Sequence, residues 1–276
     1  MSVAIWCPGD GQGHVTRAVA AAHTLGMDPA DVTLLVGDPT TVDPRVSGAH
    51  PLGVARLPLD GVEELWVDAL PCGRGELDVA ALAGVGRVNH LARRLDWPRF
   101  VALLPSDPPW FRRTVVTEAL PDAQRAWLVE RSSTVVDLEL RDPPVPSPPA
   151  DIVAAVRGAW VVVHAGPRSE VEELQATARQ AARVDGVDEE TVDEDTIVLG
   201  TGGLDVVPAW PLLSHAARLF TGGGANTVRQ VRIHAPHVPH VAVPFPRRHD
   251  DQVGRVRWHR AHPPARPDAE RRTPLP

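Results

Sequence analysis

The sequence predicts an α/β protein of two similar halves, each built on a parallel sheet. Three observations predict it. Short apolar runs alternate with helix-capable runs along the chain. Each half carries a glycine turn at the C-terminal end of an apolar run: "PGDGQGH" after Val3–Cys7, and "GGGAN" after the run ending at Thr221. Between the halves lies "RDPPVPSPP" (Arg141 to Pro149), where five of nine residues are proline, the composition of a stiff extended linker.

The elements follow in order. "VAIWC" (Val3 to Cys7) is a short apolar strand, "PGDGQGH" its turn, and the alanine-rich "HVTRAVAAAHTL" (His14 to Leu25) a helix. "VTLLVG" (Val32 to Gly37) is the next strand, which completes a strand–loop–helix–strand unit of a parallel sheet. Gly53 to Pro58, Glu64 to Leu70 and Arg99 to Pro105 read as further strands, with a helix over Asp78 to Leu95. After the linker, Gly158 to Pro167 is a strand and turn. Ser169 to Val184 is a helix, with Ser169 as its N-cap and acids in its first turn. Asp195 to Gly200 is a strand, Trp210 to Ala216 a short helix, and "ARLFTG" a strand running into Gly222, Gly223 and Gly224. "NTVRQVRIHA" is a helix, His240 to Pro244 a strand, and "DDQVGRVRWHR" a last helix. Beyond Ala261 there is little to bury, so 261–276 is expected to be a disordered tail. The expected domains are 1–145 and 150–260.

Composition excludes several function classes. The 276 residues are 43% hydrophobic and 23% charged, enough apolar matter for a real core. A net charge of -7 argues against binding nucleic acid through its phosphates. There is no lysine, so a P-loop NTPase and lysine Schiff-base chemistry are both ruled out. Cys7 and Cys72 cannot form a disulfide framework. No basic leader and no apolar run of membrane-spanning length is present, so a cytoplasmic protein without a transmembrane segment is expected.

Four stretches can carry chemistry, and two others only look as if they could. Gly222, Gly223 and Gly224 let a ligand approach the backbone, and the helix beginning near Asn226 and Thr227 aims free N–H groups and a partial positive charge there. A diphosphate fits that description, and a ligand-free tight turn is the plain alternative. Asp250, Asp251 and Gln252, read as the first turn of the last helix, pair carboxylate with amide in the way that suits sugar hydroxyls. An ordinary acidic helix start reads the same. His14, among Gly9, Gly11 and Gly13, can act as general base on a hydroxyl, bond a phosphate or cap a helix. In "DALPCGRGEL", Arg74 can bind an anion, and Asp68 or Glu76 can accept from a hydroxyl; a turn with a solvated arginine is the bland reading. "DED" (Asp193 to Asp195) sits before a strand and reads as a solvated acidic loop rather than a metal site. His234, His237 and His240 are separated by prolines that forbid a helical face, so no metal is expected.

Taken together, these residues resemble the GT-B glycosyltransferases. They are similar to the peptidoglycan-precursor N-acetylglucosaminyltransferase and to related bacterial transferases with an N-terminal G-x-G-H-x-x-R, which stands here as "GQGHVTR" (Gly11 to Arg17). "DALPCGRGEL" and the order "TGGGANTVRQV", "PHVAVP", "DDQ" match the remaining pattern. The resemblance implies two Rossmann-like domains facing across a cleft, reduced in size, with the acceptor in the first and a nucleotide-diphospho-sugar donor in the second. By motif, Gly222 to Gly224 meet the diphosphate, Asp251 and Gln252 the donor sugar, and His14 the acceptor or the phosphates. Arg168 adds charge to the phosphates. Where the family often holds the ribose with Glu, this chain has Gln230, a weaker partner for a hydroxyl. No cofactor is implied beyond the nucleotide-sugar co-substrate, and no metal, because helix dipoles and basic side chains stabilise the leaving diphosphate. The implied activity is hexosyl transfer to a hydroxyl of a small or lipid-linked acceptor. The chain is shorter than those of the family, which implies either a small acceptor region or a homo- or hetero-oligomeric partner that completes it. Two alternatives stand beside it: a nucleotide-sugar hydrolase or epimerase of the same fold, and a non-catalytic nucleotide-sugar-binding protein.

Overall fold

A computed structural model of the chain describes residues 3–8, 12–46, 50–53, 59–187 and 196–263, with the backbone alone for 41 and 50–53. It divides into two compact units, Met1–Pro144 with Arg247–Asp251, and Val145–Pro246 with Gln252–Pro276. The proline-dense segment at 141–149 holds no regular element, as its lost amide donors dictate.

The first unit is a seven-stranded parallel sheet in the order β3-β2-β1-β4-β6-β7-β8. The strands are β1 (Val3–Cys7), β2 (Val32–Val36), β3 (His50–Gly53), β4 (Glu64–Asp68), β6 (Arg87–Ala92), β7 (Arg113–Val116) and β8 (Val135–Asp137); a short β5 (Pro71–Arg74) lies outside the ladder. Successive side chains of a strand point to opposite faces. Ile5, Leu34 and Trp66 therefore join one apolar cluster while Ala4, Trp6, Leu35, Leu65 and Val67 join another. A sheet covered on both faces explains the unbroken apolar runs in its strands. Helix α1 (Gln12–Thr24) packs Val15, Ala18, Ala20, Ala21 and Ala22 against the first cluster, its small side chains bringing its axis close to the sheet.

Two expected elements are corrected here. The stretch Asp78–Leu95 is not one helix but turns followed by β6. A Cβ on Gly86 would lie 2.9 Å from the Glu63 carbonyl, so the chain runs against the start of β4 and enters the sheet beside it. The stretch Arg99–Pro105 is not a strand. It begins in α2 (Trp97–Phe100) and continues as a 3₁₀ turn over Val101–Leu103. Trp97 and Phe100 are buried one turn apart while Val101 is 43% exposed, a helical and not an alternating pattern. The first unit also contains β7, β8 and α3 (Asp122–Glu130), which sequence patterning does not single out. The strand expected over Gly53–Pro58 meets β3 only at Gly53, and residues 54–58 lie outside the described ones, as do Asp193–Asp195 and the tail from 264 onward.

The second unit is a four-stranded parallel sheet in the order β10-β9-β11-β12. Its elements are α4 (Ala150–Val156), β9 (Trp160–His164), α5 (Arg168–Asp185), β10 (Thr196–Gly200), β11 (Arg218–Gly222), α6 (Ala225–His234), β12 (His240–Val243) and α7 (Gln252–Ala261). Trp210–His215 forms a 3₁₀ turn, close to the short helix expected there. Helix α5 starts one residue before Ser169, with Pro167 in the capping position and no side-chain cap, so Ser169 is not the N-cap. Helix α7 starts at Gln252, so Asp250 and Asp251 precede it rather than form its first turn. Among the described residues no helix is long and apolar enough to cross a membrane.

Candidate functional site

In each sheet the strand order reverses at one place, and open parallel sheets bind ligands at the carboxyl ends of the strands there. In the first unit the reversal lies between β1 and β4; in the second it lies between β9 and β11.

At the first reversal, α1 follows β1 and brings His14 and Arg17, one turn apart on the same face, to the end of β4. Asp68 ends β4 and is completely buried. It accepts from Arg17 Nε at 2.5 Å on Oδ1 and from Arg17 Nη2 at 2.5 Å on Oδ2. His14 Nδ1 lies 2.6 Å from the same Oδ2. Burial alone would raise the Asp68 pKa, but the Arg17 guanidinium and the His14 hydrogen bond overcome it and hold the carboxyl far below the usual range. An ionised carboxylate only accepts, so His14 must carry its proton on Nδ1. Arg17 Nη2 also lies 3.2 Å from His14 Nδ1; both bear hydrogens, so they share the Asp68 oxygen rather than bond each other. Burial lowers the His14 pKa against the pull of Asp68, so the ring is neutral near pH 7. Its Nε2, with no partner among the described residues, is left as a bare acceptor.

The position of Asp68 has its own support. The next residue, Ala69, adopts φ 64, a left-handed conformation that costs a residue with a Cβ about 1–2 kcal/mol. Its N–H donates to Leu91 O at 2.9 Å, and its carbonyl accepts from Nε2 of the fully buried His90 at 3.1 Å. Burial pushes His90 down to about 4, so it is neutral with its proton on Nε2, stacked on Phe111 at 5.0 Å. Sequence reasoning missed His90 because it placed this segment in a helix. The nearby Cys7 thiol is pushed up by burial and by Asp68, which leaves it protonated and inert.

The other residues singled out in the first unit fall as follows. Gly13 is exposed within α1, and Gly11 lies outside the described residues. Arg74 is exposed at the end of β5, where its backbone N–H donates to Glu76. Asp250 and Asp251 pair with Arg93 and Arg94, the latter at 2.7 Å, and both carboxylates belong to the first unit with those arginines.

At the second reversal the glycines divide by role. A Cβ on Gly222 would lie 3.0 Å from the His164 ring, and one on Gly223 would lie 2.9 Å from Val256 and 3.2 Å from Gln252; at Gly224 nothing lies within 4 Å. The Gly223 N–H already donates to Val243 O at 2.8 Å, and its carbonyl accepts from the buried Arg255 at 3.0 Å. The first two glycines thus answer to packing and the sheet ladder. Gly224 alone opens outward, as the N-cap of α6 with φ -64 and ψ 142. Asn226, Thr227 and Gln230 follow it on α6, all half-buried. Gln252 is buried, and its Oε1 accepts from the Phe245 N–H at 3.0 Å. Arg168 is exposed and paired with Glu172 at 3.3 Å.

The second unit also holds a pair not foreseen. His164 ends β9, and its Nε2 lies 2.7 Å from Glu170 Oε2, with both side chains largely buried. The available signal was a polar residue closing the apolar run "WVVVH" just before a turn. His234 stacks on Trp210 at 4.3 Å and His240 bonds Thr221 Oγ1 at 2.8 Å, so these histidines do not converge. Among the described residues no group of three or more His, Cys, Asp or Glu is placed to hold a metal ion.

The chain as a whole is similar to solved glycosyltransferases. The spinosyn forosaminyltransferase SpnP is 15% identical over 95% of this chain and 84% of its own, with a TM-score of 0.54. The glycosyltransferase SnogD from Streptomyces nogalater is 16% identical over 93% of this chain and 84% of its own, with a TM-score of 0.51. No protein-family model matches the chain, and no curated protein sequence does. At such identities the likeness establishes the fold, which is that of the GT-B glycosyltransferases.

Proposed function

We propose that this protein is a glycosyltransferase that moves a hexose from a nucleotide-diphospho-sugar to a hydroxyl acceptor without a metal. The observation that carries the reading is the His14 imidazole, locked by the buried Asp68–Arg17 pair with its proton on Nδ1 and Nε2 left to accept. In the proposed reaction Nε2 takes the proton of the acceptor hydroxyl. The oxygen forms a bond to the anomeric carbon, and the bond from that carbon to the diphosphate breaks, the diphosphate leaving with the electron pair. His14 becomes an imidazolium, stabilised by the Asp68 carboxylate. The leaving diphosphate is received at Gly224 and the N-terminus of α6, where the helix dipole favours negative charge and Gly224 supplies no capping side chain. The finer likeness to the peptidoglycan-precursor transferase rests on "GQGHVTR" and "TGGGANTVRQV" alone.

One observation favours a second reading. Asp251 and Gln252, the donor-sugar residues by motif, are bonded to Arg94 and to the Phe245 N–H. A protein that recognises nucleoside diphosphates without turning them over would look the same at these positions.

The test begins with a thermal-shift screen of nucleoside diphosphates and their sugar conjugates. A ligand at a hundredfold over its Kd stabilises by about 2.7 kcal/mol. With the responding donor, His14→Ala is expected to lower turnover at least about 10²-fold while nucleotide affinity stays within about twofold. Turnover unchanged by His14→Ala removes the histidine from the role. Nucleotide binding without transfer across a broad acceptor panel supports the second reading, and sugar release without acceptor supports a hydrolase.

A further inference from the structure

The strands β9 and β11 are neighbours, yet the helices that follow them go to opposite faces of the sheet. Val171, Leu174 and Ala178 of α5 pack with Val162 and Phe220, whereas Val231 of α6 packs with Val161 and Leu219. A crevice therefore opens at the carboxyl ends of these two strands, between the β9–α5 turn and the turn of Gly222 to Gly224. His164 ends β9 and stands on the α5 face, two places beyond Val162, as Gly222 stands two places beyond Phe220. Its ring lies against Phe245, with centroids 5.4 Å apart. Nε2 and Glu170 Oε2, from the first turn of α5, are 2.7 Å apart. A carboxylate only accepts, so Nε2 carries a proton. Gly166 lets the chain pass over this bond, because a Cβ there would overlap Nε2. The other edge of the ring faces Gly222, where a Cβ would lie 3.0 Å from Cε1 and 3.1 Å from Nδ1. Nδ1 has no hydrogen-bond partner among the described residues, and unlike Nδ1 of His90 or His249 it is not sealed from solvent.

The charged groups on the surrounding elements leave this nitrogen to a ligand. Arg168 and Glu172 pair with each other at the start of α5. His240 of β12 bonds Thr221 Oγ1, and burial keeps it neutral. The buried Arg255 of α7 donates to the Gly223 carbonyl at 3.0 Å and adds a fixed positive charge under the glycine turn. Gly224 is two residues from Gly222, within about 8 Å, which is less than the length of a nucleoside diphosphate.

We propose that His164 is a further contact for the donor diphosphate, and that its ring takes up a proton from water when the nucleotide binds. Nδ1–H then donates to a phosphate oxygen while Nε2–H stays on Glu170, which positions the ring and stabilises its charge. No covalent bond of the nucleotide forms or breaks in this step. The inference rests on the reading of Gly224 and α6 as the diphosphate site.

The experiment titrates the full chain with ADP, CDP, GDP, UDP and dTDP, follows the histidine ring ¹⁵N signals, and measures affinity from about pH 6 to 8. On binding, Nδ1 of His164 is expected to pass from the bare to the protonated type. A bound oxyanion raises the ring's pKa, so affinity is expected to be highest at acid pH and to fall as the pH rises, by up to about tenfold per unit. His164→Gln is expected to lose at least about tenfold in affinity at pH 6 and to flatten this dependence. The nucleotide's own terminal phosphate titrates in wild type and variant alike, so it cancels in the comparison. The isosteric Glu170→Gln keeps an acceptor for Nε2 and is expected to weaken both the affinity and the pH dependence, while the exposed His262→Gln changes neither. A wild-type Nδ1 that stays bare in the complex, or a pH dependence that His164→Gln or Glu170→Gln leaves intact, overturns the proposal and leaves the donor site at Gly224 standing. Binding of none of the five diphosphates overturns the donor reading itself, and this inference with it.

Discussion

Asp68→Asn perturbs the proposed site at the atom that organises it. The wild-type carboxylate receives both Arg17 donors and His14 Nδ1–H from a position with no solvent exposure. An asparagine in the same pose keeps one accepting oxygen and turns an NH₂ toward the other donors. Arg17, 4% exposed, keeps its charge because a guanidinium does not deprotonate in a protein. Breaking a buried pair by removing one partner costs about 3–5 kcal/mol, because the remaining charge is left uncompensated. At a urea slope of about 2–3 kcal/mol/M, a loss of that size moves the unfolding midpoint of the first unit by roughly 1–2.5 M. The same change removes the reason for His14 to hold its proton on Nδ1. Turnover is expected to fall about 10²–10⁴-fold from the wrong tautomer. Two measurements check this. Ring ¹⁵N shifts of the wild type report which nitrogen is protonated, and urea titration reports the stability of Asp68→Asn and of Arg17→Met/Asp68→Leu. The double variant removes both charges and is expected to recover at least half the loss. A wild-type His14 protonated on Nε2, or an Asp68→Asn midpoint within experimental error of wild type, would refute the reasoning.

Two further predictions concern the glycines and acid stability. Gly223→Ala is expected to destabilise the second unit by about 1–3 kcal/mol, because its Cβ would overlap Val256 and Gln252. Gly224→Ala is expected to stay within about 0.5 kcal/mol in thermal denaturation while weakening nucleoside diphosphate binding in a thermal-shift titration; unaltered binding would remove Gly224 from the donor contact. His90 has a folded pKa of about 4 against an ordinary 6.5, so the unfolded chain takes up the proton first as the pH falls. Its contribution is complete above pH 6.5, shrinks as the pH drops toward 4 and amounts to about 3 kcal/mol over that window. Urea midpoints at pH 7 and pH 4.5 check it, with His90→Asn, which retains a donor toward Ala69, expected to flatten the dependence.

Much of the frame was legible in the residues alone. β1, β2, β4, β9, β10, β11 and β12 lie where short apolar runs predict strands, because a strand covered on both faces must be apolar nearly throughout. His14 was legible too, as a histidine among glycines at the carboxyl end of the first strand. Asp68 was visible only as one of several acids. Nothing local marks it as the partner of residues more than fifty positions earlier; the pairing of β1 with β4 decides it. The segment containing His90 shows the same limit from the other side. Local preference reads a helix there, and the vacancy between β4 and β7 makes it a strand.

By itself the sequence determined the α/β alternation, the break at the prolines, the exclusion of lysine chemistry and the glycine turns at two strand ends. These are properties of local patterning and of which side chains exist at all. The tertiary structure alone decided that Gly222 and Gly223 answer to packing while Gly224 opens outward, and that Asp251 and Gln252 bond to Arg94 and to the Phe245 N–H. The reason is physical. A side chain's charge state and free bonding capacity depend on neighbours from distant parts of the chain, and no window of sequence contains them.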